Sequence, residues 1–173
     1  MMLSIGKIKV MPPILLAPMA GISDLPFRQI NRSFGCGLAF TEMISTSALS
    51  YKSKNTLKML STAADDRPLG IQLLGENTEA IKRSLDNISE YPFDIIDFNA
   101  ACPASKVASH GKGAGLLREP EKLHKILKLI VENTDVPVTV KIRSGWDAAS
   151  VNAVDLALRA QDAGVSGLFI HGR

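Results

Sequence analysis

Cysteine and histidine are too scarce and too scattered here to build a metal site. The two cysteines, Cys36 and Cys102, form no CxxC pair, and only three histidines are present. Zinc ligation needs closely spaced Cys and His pairs, so no metal is expected. Two lone cysteines in a loop-poor chain read as free thiols of a reducing compartment. A long apolar segment is also missing: residues 4–10 alternate polar and apolar, with no small-residue cleavage site after them. Neither a signal peptide nor a membrane span is expected, and the default location is cytoplasmic. There is no charge block either; 20 basic against 17 acidic residues leave a net +3. That excess permits a polyanionic partner without arguing for one.

What the chain does have is alternation. Apolar runs at 14–17, 38–43, 69–75, 94–99, 136–143 and 168–173 read as strands, after a first short strand at 4–10. Helical patterns lie between them, at about 24–34, 52–61, 77–90, 120–133 and 148–163. Ser23-Asp24 and Asn77-Thr78 supply N-caps, Pro120 a first-turn proline and Gly164 a stop. Strand and helix in strict turn imply parallel pairing with right-handed crossovers.

A doubly wound sheet and a (β/α)₈ barrel both satisfy that order. Pro18-Met19-Ala20-Gly21, after the first buried strand, is not the Gly-rich turn of a dinucleotide fold. Period-2 geometry favours the barrel. Thr139, Lys141 and Arg143 share one face of their strand, as do Phe169, His171 and Arg173, and Asp97 and Asn99. These polar faces gather toward the strands' C-terminal ends, where a TIM barrel opens into its site. Such barrels typically take about 250 residues, whereas the sixth strand here is the last of a 173-residue chain. The expectation is therefore a TIM (β/α)₈ barrel truncated after about six strands, the front part of a longer enzyme. Its first and sixth strands would be unpaired edges, prone to association.

The most reactive-looking stretch is Asp97-Phe98-Asn99-Ala100-Ala101-Cys102-Pro103, followed by Lys106-Val107 and Gly111-Lys112-Gly113-Ala114-Gly115. A buried strand ends in an amide, then a Cys-Pro pair, then a lysine and alternating glycines. The glycines lack P-loop spacing; they suggest a mobile loop over a substrate, where Lys106, Lys112 and Arg118 either meet a polyanion's backbone or are simply solvated. Taken alone, Cys102 reads either as a reactive thiol or as a small buried hydrophobe. Lys141 needs a partner in the lumen, either a ligand or an ion pair with Asp97 or Glu42, and a Schiff-base lysine is a further reading.

Taken in order, these runs resemble the tRNA-dihydrouridine synthase family. The matching runs are Leu16-Ala17-Pro18-Met19-Ala20-Gly21-Ile22-Ser23-Asp24 with Phe27-Arg28, Phe40-Thr41-Glu42-Met43, and Gln72-Leu73-Leu74-Gly75. They continue through Asn99-Ala100-Ala101-Cys102-Pro103, Lys106-Val107, Gly113-Ala114-Gly115-Leu116-Leu117, Val140-Lys141-Ile142-Arg143-Ser144-Gly145-Trp146 and Ile170-His171-Gly172-Arg173. The resemblance implies an FMN-dependent oxidoreductase that reduces uridine to 5,6-dihydrouridine in tRNA, with NADPH as reductant. It also implies that residues 1–173 are the N-terminal portion of the FMN-binding barrel, without strands 7 and 8 or the helical tRNA-binding domain.

By the same resemblance Cys102 donates the proton, which suits a thiol, since an unperturbed pKa of roughly 8.5 leaves it protonated at neutral pH. Pro18, Met19, Gln72, Lys141 and His171 are expected at the flavin, and Asn99, Lys106 and Arg173 at the substrate. For Met19 core filling, and for His171 a structural hydrogen bond, are the competing readings. The family has glycine where Ala101 stands, and a Cβ there would crowd a backbone that needs positive φ or close approach to the ligand. Two alternatives remain open: another FMN barrel oxidoreductase of the dihydroorotate dehydrogenase kind, and an incomplete barrel fragment without activity.

Overall fold

Continuous apolar runs between amphipathic helices bury both faces of the central strands and leave the outer ones partly exposed, and the sheet they build is parallel and curled. A computed structural model describes residues 2–172. The expected first strand is a hairpin, β1 (Leu3–Ile5) and β2 (Ile8–Val10), paired antiparallel. Gly6 turns it at φ +53°, a conformation other residues adopt reluctantly. Next come β3 (Leu15–Leu16), α1 (Leu25–Ser33), β4 (Leu38–Ser45), α2 (Thr46–Ser50) and α3 (Lys54–Lys58). β5 (Leu69–Leu74), α4 (Thr78–Ile88), β6 (Ile95–Ala100) and α5 (Ser105–Ala108) follow. A 3₁₀ helix (Gly113–Arg118), α6 (Pro120–Glu132), β7 (Val138–Arg143), α7 (Ala153–Asp162) and β8 (Gly167–His171) complete the order.

Strands β3 to β8 pair in sequence order, every pair parallel. That is the arc of a (β/α)₈ barrel carrying six strands. Among the described residues β3 and β8 each have one strand neighbour. The curl is visible in packing: Phe40 of β4 meets Phe169 of β8 edge-on, ring centroids 5.6 Å apart, although three strands separate them in the sheet.

Two apolar layers follow from the period of 2. Outward residues such as Ile71, Leu73, Phe98, Val138 and Val140 pack under the helices with Leu85, Leu123 and Ile126. Inward residues Leu38, Phe40 and Ile95 form a smaller cluster with Ile5 and Val10, so the hairpin plugs the lumen's lower end. Above that plug the lumen turns polar. The register sets Gln72 beside Asp97, Asp97 beside Thr139, and Asn99 beside Lys141. A simple alternating count fails on β4, because its register slips between Phe40 and Met43. Bulges re-aim side chains in this way: Phe40 and Met43 both reach the interior, although they are an odd number apart.

Several expected bounds shift. The helix expected from residue 148 starts at Ala153, because Gly145 bridges Val151 and the intervening residues form an irregular link. The stretch expected as one helix at 52–61 is the shorter α3, and α2 precedes it. The glycine run is not a mobile loop: Gly113 to Leu117 are buried in the 3₁₀ helix.

Candidate active site

The cleft at the C-terminal ends of the strands is built from loops that the strands hand over in polar residues. β6 ends at Asn99-Ala100, and the chain leaves it through Ala101, Cys102 and Pro103. Asn99 Oδ1 accepts from the N–H of Ala101 at 3.0 Å and of Cys102 at 2.9 Å. On the other side of that peptide, Arg143 Nε donates to the Ala101 carbonyl at 2.8 Å. The Cys102 carbonyl in turn accepts from Ala114 N at 2.9 Å. Four hydrogen bonds from three elements therefore fix the two-residue segment that carries the thiol.

Gly113 explains the glycines that follow. It sits at φ +52°, and a Cβ there would lie 2.7 Å from the Cys102 carbonyl oxygen and 3.0 Å from Cys102 Cβ. Close backbone approach, not loop mobility, is what glycine serves at this position. Ala101 does not need a positive φ: among the described non-glycine residues only Lys52 has one. Its methyl group is part of the cleft wall, where a bound ligand would meet it.

Pro18, Gln72, Asn99, Cys102, Lys141 and His171 line one cleft of about 230 Å³, with Arg143, Met43 and Ala101. Six of the nine expected site residues are thus brought together. Met19 does not line this cleft; its carbonyl accepts from Ile22 N and Ser23 N, closing the turn after Pro18. Lys106 is exposed on α5, outside the cleft wall. Arg173 lies outside the described residues. A neighbouring cavity of about 320 Å³, lined by Phe40, Asp97, Phe169 and Ile170 among others, shares Pro18 and Lys141 with the cleft.

Beneath the cleft floor runs a polar row. Asp97 accepts from Gln72 Nε2 at 2.6 Å and from Thr139 Oγ1 at 2.7 Å. Gln72 Oε1 accepts from Asn99 Nδ2 at 2.7 Å. Burial pushes the Asp97 carboxyl up to about 6, although both hydrogen bonds and the Lys141 charge pull the other way. Gln72, expected at a ligand, thus has both ends of its amide engaged within the protein, while still lining the cleft.

Lys141 is half-buried on the wall shared by the two cavities. Among the described residues it forms no hydrogen bond or ion pair within 4 Å; Asp97 is its electrostatic neighbour. Glu42, the other expected partner, accepts from Gly21 N instead. Three site features lie beyond the sequence reading, which takes Asp97 only as a counter-ion, Arg143 only as a lumen residue and Gly113 as part of a mobile loop. The period-2 face that places Asn99 and Lys141 also contains Asp97 and Arg143, so for those two the signal is present.

The fold and the cleft define an α/β barrel with a polar, thiol-bearing mouth at its C-terminal strand ends. Residues 15–173 match the family described as Dihydrouridine synthase (Dus). The chain belongs to the dihydrouridine synthase family. It is 38% identical over 174 residues to a "Probable tRNA-dihydrouridine synthase" of Rhodobacter capsulatus, covering 100% of this chain and 54% of that protein. A "tRNA-dihydrouridine synthase B" of Xanthomonas campestris is 34% identical over 171 residues, 99% of this chain and 52% of its own. Another, of Pseudomonas syringae, is 37% identical over 169 residues, 98% of this chain and 50% of its own. The chain spans about half the length of the curated relatives it matches.

Proposed function

We propose that this chain is the N-terminal portion of the catalytic barrel of an enzyme that reduces uridine in tRNA to 5,6-dihydrouridine, with FMN as cofactor and NADPH as reductant. The observation that carries the proposal is the convergence of Cys102 and Lys141 on one cleft at the strand ends, with the thiol's backbone held by four hydrogen bonds. Supporting it are the family match and relatives named for the same tRNA modification.

The residues present suit the flavin's ring end. An ammonium with no hydrogen bond or close ion pair among the described residues, and only Asp97 as an electrostatic neighbour, lies on the shared wall of the two cavities, and a half-buried cation there gains when a ligand's electron-rich edge meets it. Lys141 would hold that edge, with Pro18 lining the same cleft and His171 at its rim. A flavin held there would supply the hydride chemistry needed at C6 of the uracil ring. Cys102 delivers the proton to C5 from its thiol, as a general acid that the Asn99-held loop presents in the cleft. Asn99 acts on this loop through its oxygen. Lys106 on α5 is the proposed contact to the polynucleotide, and Arg173 the proposed contact to the uridine or the cofactor. No described helix is long and apolar enough to cross a membrane; a cytoplasmic site of action is part of the proposal.

The experiment is dihydrouridine formation on unmodified tRNA by the protein carrying this chain, supplied with FMN and NADPH. Product that depends on all three components supports the reading. A flavin-loaded, NADPH-oxidising protein that leaves the tRNA uridines intact would overturn it and favour another flavin barrel oxidoreductase.

A further inference from the structure

The hydrogen bonds below the cleft form a line whose direction is fixed at both ends. At one end the N–H groups of Ala101 and Cys102 can only donate, so Asn99 must turn its oxygen to them. Its Nδ2 then faces Gln72 Oε1, and Gln72 Nε2 faces Asp97. At the other end an ionised carboxylate can only accept, and Asp97 also takes the Thr139 hydroxyl. Each amide nitrogen of the row meets an acceptor, Asn99 Nδ2 also reaching Met43 Sδ at 3.9 Å, and the row is buried: Asp97 is 1%, Gln72 1% and Asn99 6% exposed.

We infer that Asp97 is a positioning residue for Cys102: its acceptor-only carboxylate orients the Gln72 and Asn99 amides, and so holds the thiol loop across three strands. Its link to proton donation rests on the function proposed above; its link to the loop does not. A carboxamide at position 97 offers one acceptor and one donor where two acceptors are needed. Either Gln72 loses a charge-assisted bond, or the Thr139 hydroxyl loses its acceptor, or the row reverses and two backbone N–H groups lose Asn99. Moving the carboxylate one residue along the row repairs the pattern. In the double variant Asp97→Asn/Gln72→Glu, the carboxylate now at position 72 accepts from the side-chain amides at positions 97 and 99. The new amide at position 97 keeps its oxygen for Thr139. Net charge and heavy-atom count in the row are unchanged.

The test is amide hydrogen exchange at Ala101 and Cys102, measured without flavin or tRNA in the protein carrying this chain. Exchange should speed by about threefold or more in Asp97→Asn, and return to within about twofold of the parent in the double variant. Iodoacetamide labelling of Cys102 should follow the same order. Unchanged exchange in Asp97→Asn would overturn the inference, as would a double variant no closer to the parent than the single one. Should a variant not fold, the unsubstituted protein gives the answer. A through-hydrogen-bond coupling from the Gln72 side-chain amide to the Asp97 carboxyl carbon is expected, and a coupling to Asn99 instead would overturn it. Dihydrouridine activity enters none of these readouts, so the inference and the proposed function can fail separately.

Discussion

Cys36 and Cys102 are the same residue in opposite settings. Cys36 belongs to the apolar layer under the helices, buried, with its thiol directed at the Leu38 carbonyl at 3.1 Å. Cys102 is half-exposed in the cleft, and it is its backbone, not its thiol, that the protein grips. The apolar layer is satisfied by area alone and tolerates shape-conserving change. The polar lumen instead needs each donor matched to an acceptor, and it contains a carboxyl that burial disfavours. The proposed chemistry therefore falls in the region where the fold sacrifices stability, a pattern common at functional sites.

Substitution of the two thiols breaks the comparison most severely. On the proposed function, Cys102→Ala should lower dihydrouridine formation on the order of 10²–10⁴-fold while NADPH still reduces the flavin, because only the proposed acid is lost. Cys36→Ala should leave the rate within about twofold. Parallel losses in both variants, read by product analysis of the tRNA and by bleaching of the flavin, would remove the distinction.

The lumen's cost to stability comes next. Asp97 is raised from 3.8 to about 6 in the folded chain, so the fold binds this proton more tightly than the unfolded chain does. Its contribution is most favourable below pH 4 and is lost as pH rises through 6, by roughly 3 kcal/mol. Urea titrations of parent and Asp97→Asn at pH 4 and 7.5 should differ by that change. If the difference between them is the same at both values, the carboxyl is not strained by burial.

Gly113→Ala should cost about 1–3 kcal/mol, from positive φ and from the close Cys102 carbonyl. It should also change the labelling rate of Cys102 and not that of Cys36. A melting curve and a labelling time course identical to the parent would mean that the 3₁₀ helix yields freely. The smallest effect belongs to the apolar layer, where Cys36→Ala should cost about 1 kcal/mol in urea unfolding.

Legibility in the sequence differs between the same two regions. Continuous apolar runs and caps such as Asp24, which accepts from Phe27 N, reveal the order of β3 to β8 and their parallel pairing. Local signals say less where tertiary contacts decide. Gly6 makes two strands from one expected strand, and Gly145 with Val151 delays α7. The slip on β4 falls at Thr41-Glu42, two adjacent polar residues that interrupt the alternation between Phe40 and Met43 without saying how the strand re-registers. In the site, position on a strand face is readable and partnership is not. The strand pattern brings Asn99 and Gln72 to the cleft, yet which atoms they spend on each other depends on register between strands distant in sequence. Gly113 misleads for the same reason. Its need for glycine arises from the Cys102 carbonyl that it packs against at φ +52°, a contact between separate turns of the chain.

Cys102 as the presented thiol is the central claim, and graded alkylation of the unsubstituted protein tests it most directly. Iodoacetamide is added in steps, each cysteine peptide is quantified by mass spectrometry, and dihydrouridine formation is measured on the same samples. Cys102 should react first, with activity falling in proportion to its modification while Cys36 stays unmodified. Activity that survives complete alkylation of Cys102, or loss that tracks Cys36, would contradict that claim.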